Sequence, residues 1–576
     1  MEGLCDKEYT VKILEEISVL KELHGANVFE VRAFQNGARA LETDARDLKS
    51  LIDSGELEKI KGVGKGSISR IVRELYQSGE SEEHAKLRAP FPDSLFQLFD
   101  IPGLGPRKIK TLYEKLEIKS MAELELACRE NRIAGLEGFG EKTQANFLKQ
   151  IEHLKKTQGH YLLDDALMEC EKIVAYLKKS PSAKEVTVAG SVRRSKEIVR
   201  DLDILVSTDE PARIHEAFTQ YTEADDVSSH GDTKSSIILR AGMQCDLRTV
   251  TEEEYPYALL YFTGSKEHNV ELRTIAKKKG LKVNEYGIFK GEKKIACRSE
   301  KEIYEALGFS YVPPEARENS GEIELASEQA FPKLVEGKDI KGVFHVHSTY
   351  SDGKASLEDM IREAERLEYE YVGISDHSQS AKYAGGLDAE KIKKQFKEID
   401  SLQKKFKIRI FKGIESDIKN DGSLDYDEKT LRDFDFVIGS VHSGYQMKEK
   451  EMTERLRRVM ENKYLTFLGH MTGRLLLGRK GYPLDMEFLF EKSVEYGVTI
   501  ELNAQPRRLD PDWRMCHSAR KKGVKFSIHP DAHSVQGLSN VKLGVGIARK
   551  AWLEKKHVMN TLPLAKMEQF LKARRV

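Results

Sequence analysis

Three aspartates and a glycine-serine turn carry the first sign of chemistry. The run Asp201-Leu202-Asp203-Ile204-Leu205-Val206 has a period of two, which puts Asp201 and Asp203 on one face of a strand. A second strand-like run, Met243-Gln244-Cys245-Asp246-Leu247-Arg248, offers Asp246 from a neighbouring strand. Carboxylates so close repel unless cations neutralise them, and hard oxygen ligands suit Mg²⁺ held together with substrate phosphates. Two such ions about 4 Å apart clamp both oxygens of an in-line phosphoryl displacement, the chemistry of nucleotidyl transfer. Just ahead, Ala189-Gly190-Ser191-Val192-Arg193-Arg194 offers a backbone amide and a hydroxyl at Gly190 and Ser191 to a triphosphate, with Arg194 to neutralise its outer charge.

A second constellation lies beyond Gly342. Seven short apolar runs, separated by helical stretches, end at His345, Ser375, Glu415, His442, His470, Asn503 and Asp531. Strands that each finish in a functional residue predict a βα barrel with its site at the strand C-terminal ends. His345, His347, Asp352, His377, Glu415, His442, His470, Asp531 and His533 are metal-binding types, and their recurrence at successive strand ends is hard to explain as ordinary core histidines. Mixed imidazole and carboxylate donors suit Mn²⁺ or Zn²⁺, whose bound water becomes hydroxide and attacks phosphorus. Arg474, Arg507 and Arg508 lie just past strand ends, in reach of substrate phosphates, whereas His517 and His557 sit on helical stretches and read as structural.

The N-terminal third carries a different signal. Apolar residues at helical spacing surround Leu57-Glu58-Lys59-Ile60-Lys61-Gly62-Val63-Gly64-Lys65, a glycine-hydrophobic-glycine turn between two short helices. Such a turn presents the amides that open the second helix, which suits a DNA phosphate. The pattern recurs with Gly103, Gly105, Arg107 and Lys108, and more loosely, with an acidic hairpin, around Gly135, Gly138 and Gly140. The expected DNA contacts are Gly62, Gly64, Lys65, Gly103, Gly105, Arg107 and Lys108.

The elements that must position these groups exceed one core: 576 residues predict three to five compact units. We expect helical helix-hairpin-helix domains over 1–85 and 86–160, a mixed-sheet palm over 161–250, a base-pair-sensing subdomain over 251–317, an acidic linker over 318–340, and a barrel over 341–576. Lys plus Arg and Asp plus Glu are equal at 94 each, so composition does not announce a nucleic-acid protein and any basic surface is local. The six cysteines stand far apart, as reduced thiols do, and no long apolar run or signal pattern is present. A cytoplasmic protein, monomeric and without membrane contact, is the expectation.

The palm resembles the family X DNA polymerases, and the resemblance continues in Tyr261-Phe262-Thr263-Gly264-Ser265-Lys266-Glu267-His268-Asn269. It implies that this turn, with Tyr261, Phe262, Gly264 and Lys266, lies against the incoming dNTP, and that Asn269 and Arg273 touch the nascent base pair and template. It also implies that Asp201 and Asp203 bind two Mg²⁺ ions, with Asp246 at the catalytic one. Two departures stand out: Arg200 replaces a glycine common in mammalian members, and Arg70 occupies the position of the lyase lysine. Arginine stays protonated and forms no imine, so no family-type lyase is expected.

The C-terminal set resembles the polymerase and histidinol phosphatase (PHP) family. That resemblance groups His345, His347, Glu415 and Asp531 on one ion, Asp352, His377 and His470 on a second, and Glu415, His442 and His533 on a third. Together the two resemblances imply a bacterial or archaeal gap-filling polymerase on gapped or primer-template DNA with a 3′-5′ exonuclease in the barrel. Abasic-site endonuclease or 3′-phosphatase activity is a further expectation of the barrel. The alternatives are a structure-directed DNA phosphoesterase with a palm that only positions substrate, a small-molecule phosphatase, and a DNA-end-binding scaffold.

Overall fold

The computed structural model describes residues 7–574 apart from 45, 47, 102, 103, 130, 131, 137 and 158. The chain forms two units, residues 1–158 and 159–576. No helix among the described residues is long and apolar enough to cross a membrane.

The first unit is helical. Asn27 accepts from the Glu30 amide at 3.0 Å and starts the helix Val28–Thr43, which packs on Lys7–Leu23 through Leu14, Ile17, Phe34 and Leu41. The first hairpin follows the 3-10 turn Leu57–Lys59 and opens the helix Ser67–Ser78, whose Ile71, Val72 and Leu75 close the same core. The second leads into Pro106–Leu116, where proline suits the first helical position because its missing N–H has no partner there anyway. Leu98, Ile101, Leu104, Ile109, Leu112 and Leu124 form a second apolar cluster around it.

The second unit begins with the palm. Its mixed five-stranded sheet runs in the order Glu185–Val188, Asp201–Ser207, Gln244–Val250, Lys234–Leu239, Ala224–His230. The Asp201 and Gln244 strands are parallel, in a register that puts Asp203 opposite Asp246. Leu202, Ile204 and Val206 are buried, in one cluster with Ala166, Ile173, Ile214 and Phe218 of the helices Leu163–Leu177 and Pro211–Thr219.

Next come the helices Tyr255–Thr263 and Lys266–Lys278 and a three-stranded antiparallel meander with its closing turn at Gly291. The segment expected as a linker is instead packed. Its helix Glu322–Ser327 buries Ile323 and Ala326 in the cluster of Tyr257, Leu272 and Tyr304, and its Glu322 accepts from His268 at 2.7 Å.

Seven parallel strands in sequence order form the barrel: Gly342–Val346, Tyr371–Ile374, Arg409–Asp417, Phe436–Ser440, Phe467–Leu468, Thr499–Asn503 and Phe526–His529. Backbone bonds between His345, His347 and Ala532 join the ends of the first and last strands and nearly close it. Phe344, Phe411, Phe436 and Phe467 cluster with Met567 and Leu571 of the helix Leu564–Ala573.

Candidate active sites

In the palm, Gly190–Arg193 forms a single helical turn. Gly190 sits at φ 60°, and a Cβ there would come within 2.0 Å of Asp203 Oδ2, so only glycine lets the turn lie against the carboxylate. The Ser191 hydroxyl is buried without a hydrogen-bond partner. Tyr261, Phe262 and Thr263, expected in a turn, end a helix whose cap is Gly264, and Ser265 caps the next helix by accepting from the His268 amide. Asn269 donates to the Tyr261 carbonyl at 2.7 Å, and Arg273 stands 6.0 Å over the Tyr261 ring.

Gly190, Ser191, Arg194, Asp201, Asp203, Tyr261, Phe262, Gly264, Lys266, Asn269 and Arg273 line one open cavity of about 350 Å³. Asp246 is not among its walls; Lys234 holds that carboxylate at 2.6 Å and Gln244 donates to it at 2.9 Å. Burial, then Asp201 and Asp246, push the Asp203 carboxyl up to about 6. Burial also pushes Asp246 upward, but hydrogen bonds from Lys234, Gln244 and Ser236 outweigh it and hold the group below its usual range. Carboxylates so placed, beside an unsatisfied hydroxyl, fit divalent cations and a phosphate-bearing ligand. Arg200 takes an ordinary backbone conformation and turns outward, its Nε 2.9 Å from His160 Nε2.

In the barrel all nine expected ligands gather at the strand C-terminal ends. Donor atoms of His347, Asp352, His377 and His533 lie close enough to share an ion, as do those of His345, His347 and Glu415; of His345, His470 and Asp531; and of His377, Glu415 and His442. These groups differ from the expected ones: His470 lies with His345 and Asp531, its Nε2 3.0 Å from Glu415 Oε1, and His533 lies with Asp352 and His377. His345, His470 and Asp531 sit at φ 61°, 21° and 49°, backbone conformations that cost energy for such residues and cluster at functional sites. His345 Nε2, both ring nitrogens of His347 and His470 Nδ1 are buried without a hydrogen bond, so the donor set fits metal ions. Burial pushes Glu415 upward, but His377, His345 and His442 more than offset this and hold it well below the carboxylate range.

Three acids missed in the sequence orient these ligands. Glu501 accepts from His345 Nδ1 and, at 3.0 Å, from His529 Nδ1. Asp417 lies 2.6 Å from His442 Nδ1. Asp376 receives the Ser348 amide at 2.8 Å and Gln395 at 2.6 Å, fixing the loop that carries Asp352. Period two was the available signal for Asp417, two residues past Glu415 on the same strand face.

Of the three arginines, Arg508 points toward the cluster, with Nε 3.5 Å from Asp531 Oδ2. Arg507 is exposed. Arg474 is not available to a phosphate: it donates to the Arg508 and Leu509 carbonyls, to Asp512 at 3.1 Å and to Glu197 of the palm at 3.3 Å. His517 packs edge-on to Trp552, and His557 accepts from the Glu554 amide.

In the helical unit Gly62 and Gly64 adopt φ 113° and 58° in the first hairpin, beside Lys65. Gly103 lies outside the described residues; Gly105 caps the following helix, and Arg107 lines a cavity of about 390 Å³ with Arg32 and Lys110. Lys108 stands 5.9 Å over the Phe139 ring.

Four family models match parts of the chain. Residues 5–81 match the helix-hairpin-helix domain, 96–149 the SAM-like helix-hairpin-helix tandem, 258–318 the DNA polymerase beta thumb and 344–505 the PHP domain. The Repair DNA polymerase X of African swine fever virus (isolate Tick/South Africa/Pretoriuskop Pr4/1996) is 32% identical over 143 residues, 23% of this chain and 82% of that protein. The DNA polymerase/3'-5' exonuclease PolX of Bacillus subtilis (strain 168) is 39% identical over 572 residues, 98% of this chain and 99% of that one. With likeness at that level running through helical unit, palm and barrel alike, the chain belongs to the bacterial family X DNA polymerases that end in a PHP domain.

Proposed function

We propose that the chain fills short gaps in DNA with the Asp201–Asp203–Asp246 site and shortens 3′ ends with the barrel site. The observation that carries this reading is the convergence of Ser191, Arg194, the aspartate pair, Tyr261 and Phe262 on one cavity. Asp201, Asp203 and Asp246 would hold two Mg²⁺, and the nine barrel ligands up to three Mn²⁺ or Zn²⁺. When bound, such ions supply charge neutralisation and Lewis acidity for in-line displacement at phosphorus.

The chain's own residues do the rest. The Gly190–Ser191 backbone and the Ser191 hydroxyl bind the dNTP triphosphate, and Arg194 neutralises its outer charge. Tyr261 and Phe262 wall the sugar, Lys266 faces the phosphates, and Asn269 and Arg273 meet the nascent base pair. Asp246 helps the primer 3′ hydroxyl lose its proton. In the barrel Arg508 binds the scissile phosphate, while Glu501, Asp417 and Asp376 hold the ligands in place. Abasic-site cleavage and 3′-phosphate removal are the same displacement, with the 3′ oxygen again the leaving group and a different substituent on the phosphorus. The hairpins at Gly62–Lys65 and Gly103–Lys108 grip duplex phosphates, and a monomer with the domain boundaries given above, its segment 318–340 packed on the base-pair-sensing subdomain, carries all of these parts.

The test is a labelled one-nucleotide-gapped duplex with Mg²⁺ or Mn²⁺, with and without dNTPs, given to wild type, Asp203→Ala and His345→Ala. Extension lost only in the first variant and shortening lost only in the second is the expected result. A wild type that shortens the primer and never extends it overturns the polymerase assignment in favour of a structure-directed phosphoesterase.

A further inference from the structure

The palm turn behind the nucleotide cavity is held from the barrel. Lys550 ends the helix Val541–Lys550, and its side chain is 1% exposed. Its ammonium donates to the Arg194 carbonyl at 3.0 Å and to Glu318 Oε1. The same Glu318 oxygen accepts from Arg194 Nε at 3.1 Å. One helical turn before Lys550, Gly546 receives Ser195, which sits at φ 51°; a Cβ at 546 would come within 2.7 Å of Ser195 Oγ. Glu197, two residues on, is the partner of Arg474. Barrel residues therefore hold the turn at 194, 195 and 197.

The charges decide what this does. Arg194 and Lys550 are buried and the Glu318 side chain is 11% exposed, and two cations sharing this one carboxylate leave the trio a net positive charge. Arg194 is the member that lines the nucleotide cavity. Without Lys550 the group sums to zero, and Glu318 has only Arg194 to neutralise it, which draws the guanidinium charge away from a bound phosphate. Besides Glu318 and the Arg194 carbonyl the ammonium meets the Trp513 ring at 5.3 Å and feels the Glu197 carboxylate, which Arg474 already pairs.

We propose that Lys550, a barrel residue, is a positioning residue for nucleotide binding in the palm. It keeps Glu318 from cancelling Arg194 and pins the carbonyl of the turn that carries Gly190 and Ser191. The inference rests on the reading of the palm cavity as a dNTP site.

The test measures dNTP affinity by fluorescence titration of protein bound to gapped DNA with a dideoxy-terminated primer, so that no turnover is involved. Lys550→Met weakens the dNTP by about tenfold, with gapped-DNA affinity and exonuclease rate unchanged. Lys550→Arg restores part of the loss. Glu318→Gln tightens dNTP binding, and Lys550→Met with Glu318→Gln returns affinity to near the wild-type value. A purely structural lysine predicts instead that the double variant is as weak as the single one, and that outcome overturns the proposal. Wild-type affinity in Lys550→Met overturns it as well. If Lys550→Met does not fold, Glu318→Gln decides alone: weaker or unchanged dNTP binding sinks the idea. Absence of any dNTP binding by the wild type is a different failure, that of the nucleotide-site reading itself.

Discussion

Asp203 faces Asp246 across the parallel strand pair Asp201–Ser207 and Gln244–Val250, with Asp201 two residues away on the same face. Buried beside Asp201 and Asp246, the Asp203 carboxylate destabilises the ion-free fold and creates the demand for cations. In chelator, Asp203→Asn is therefore expected to melt at a higher temperature than wild type, with a gain on the order of 1–2 kcal/mol. Mg²⁺ added back raises the wild-type midpoint more than that of the variant. Thermal melts with and without chelator check this, and a variant that melts lower in chelator contradicts it.

Glu501 holds His345 and His529 from inside the barrel. A carboxylate behind a metal-binding imidazole fixes its tautomer and raises its basicity, and its loss costs about 10–100-fold in metal affinity. Glu501→Gln should lose barrel exonuclease at limiting Mn²⁺, recover it in excess Mn²⁺, and extend primers as wild type does. Metal content by mass spectrometry and a Mn²⁺ titration of the exonuclease read this out.

The sequence displayed the candidate ligands because they lie at or just past the ends of apolar strands, and the strand ends of a parallel barrel converge by topology. How the ligands divide among ions was not legible. His470 and His533 reach their neighbours through backbone turns and loops, such as the positive φ at His470, that no periodicity announces. Glu501 looked like one more acid in a strand, since its partners His345 and His529 are remote in the chain. Segment 318–340 read as a linker because it is acidic. Glu322 is in fact buried on His268, 54 residues earlier, and Glu318 on Lys550, 232 residues later. Arg474 and Arg508 both follow strand ends, and only the fold shows that Glu197 and Asp512 consume the first.

That difference between the arginines is measurable. Arg474→Ala leaves Glu197 without its arginine, takes one of the two arginines from Asp512, which keeps Arg514, and removes bonds to two loop carbonyls, so we expect a loss of about 3 kcal/mol in stability. Arg508→Ala keeps the fold and weakens the step that binds the scissile phosphate, lowering exonuclease kcat/KM by about 100-fold. Thermal melts beside exonuclease kinetics separate the two; an Arg474→Ala enzyme with wild-type melting would contradict the assignment.

Glu300 is clasped by Arg317 at 2.6 Å and Arg193 at 2.7 Å. Burial pushes its carboxyl upward, but the two guanidinium groups outweigh it and hold it at about 2, below its ordinary value of 4.5. A depressed carboxylate contributes stability that is complete above the unfolded value and disappears as pH falls through the folded one. The window runs from pH 4.5 down to about 2, and the linked contribution is about 3 kcal/mol. Glu300→Gln should accordingly be less stable than wild type at pH 7 by at least this order, since it also leaves Arg317 buried without its anion. The gap should narrow steadily as the pH is lowered below 4.5. Urea unfolding of both proteins across that range, followed by tyrosine and tryptophan fluorescence, checks the slope; a difference that does not change with pH would show that Glu300 contributes through packing and not through its charge.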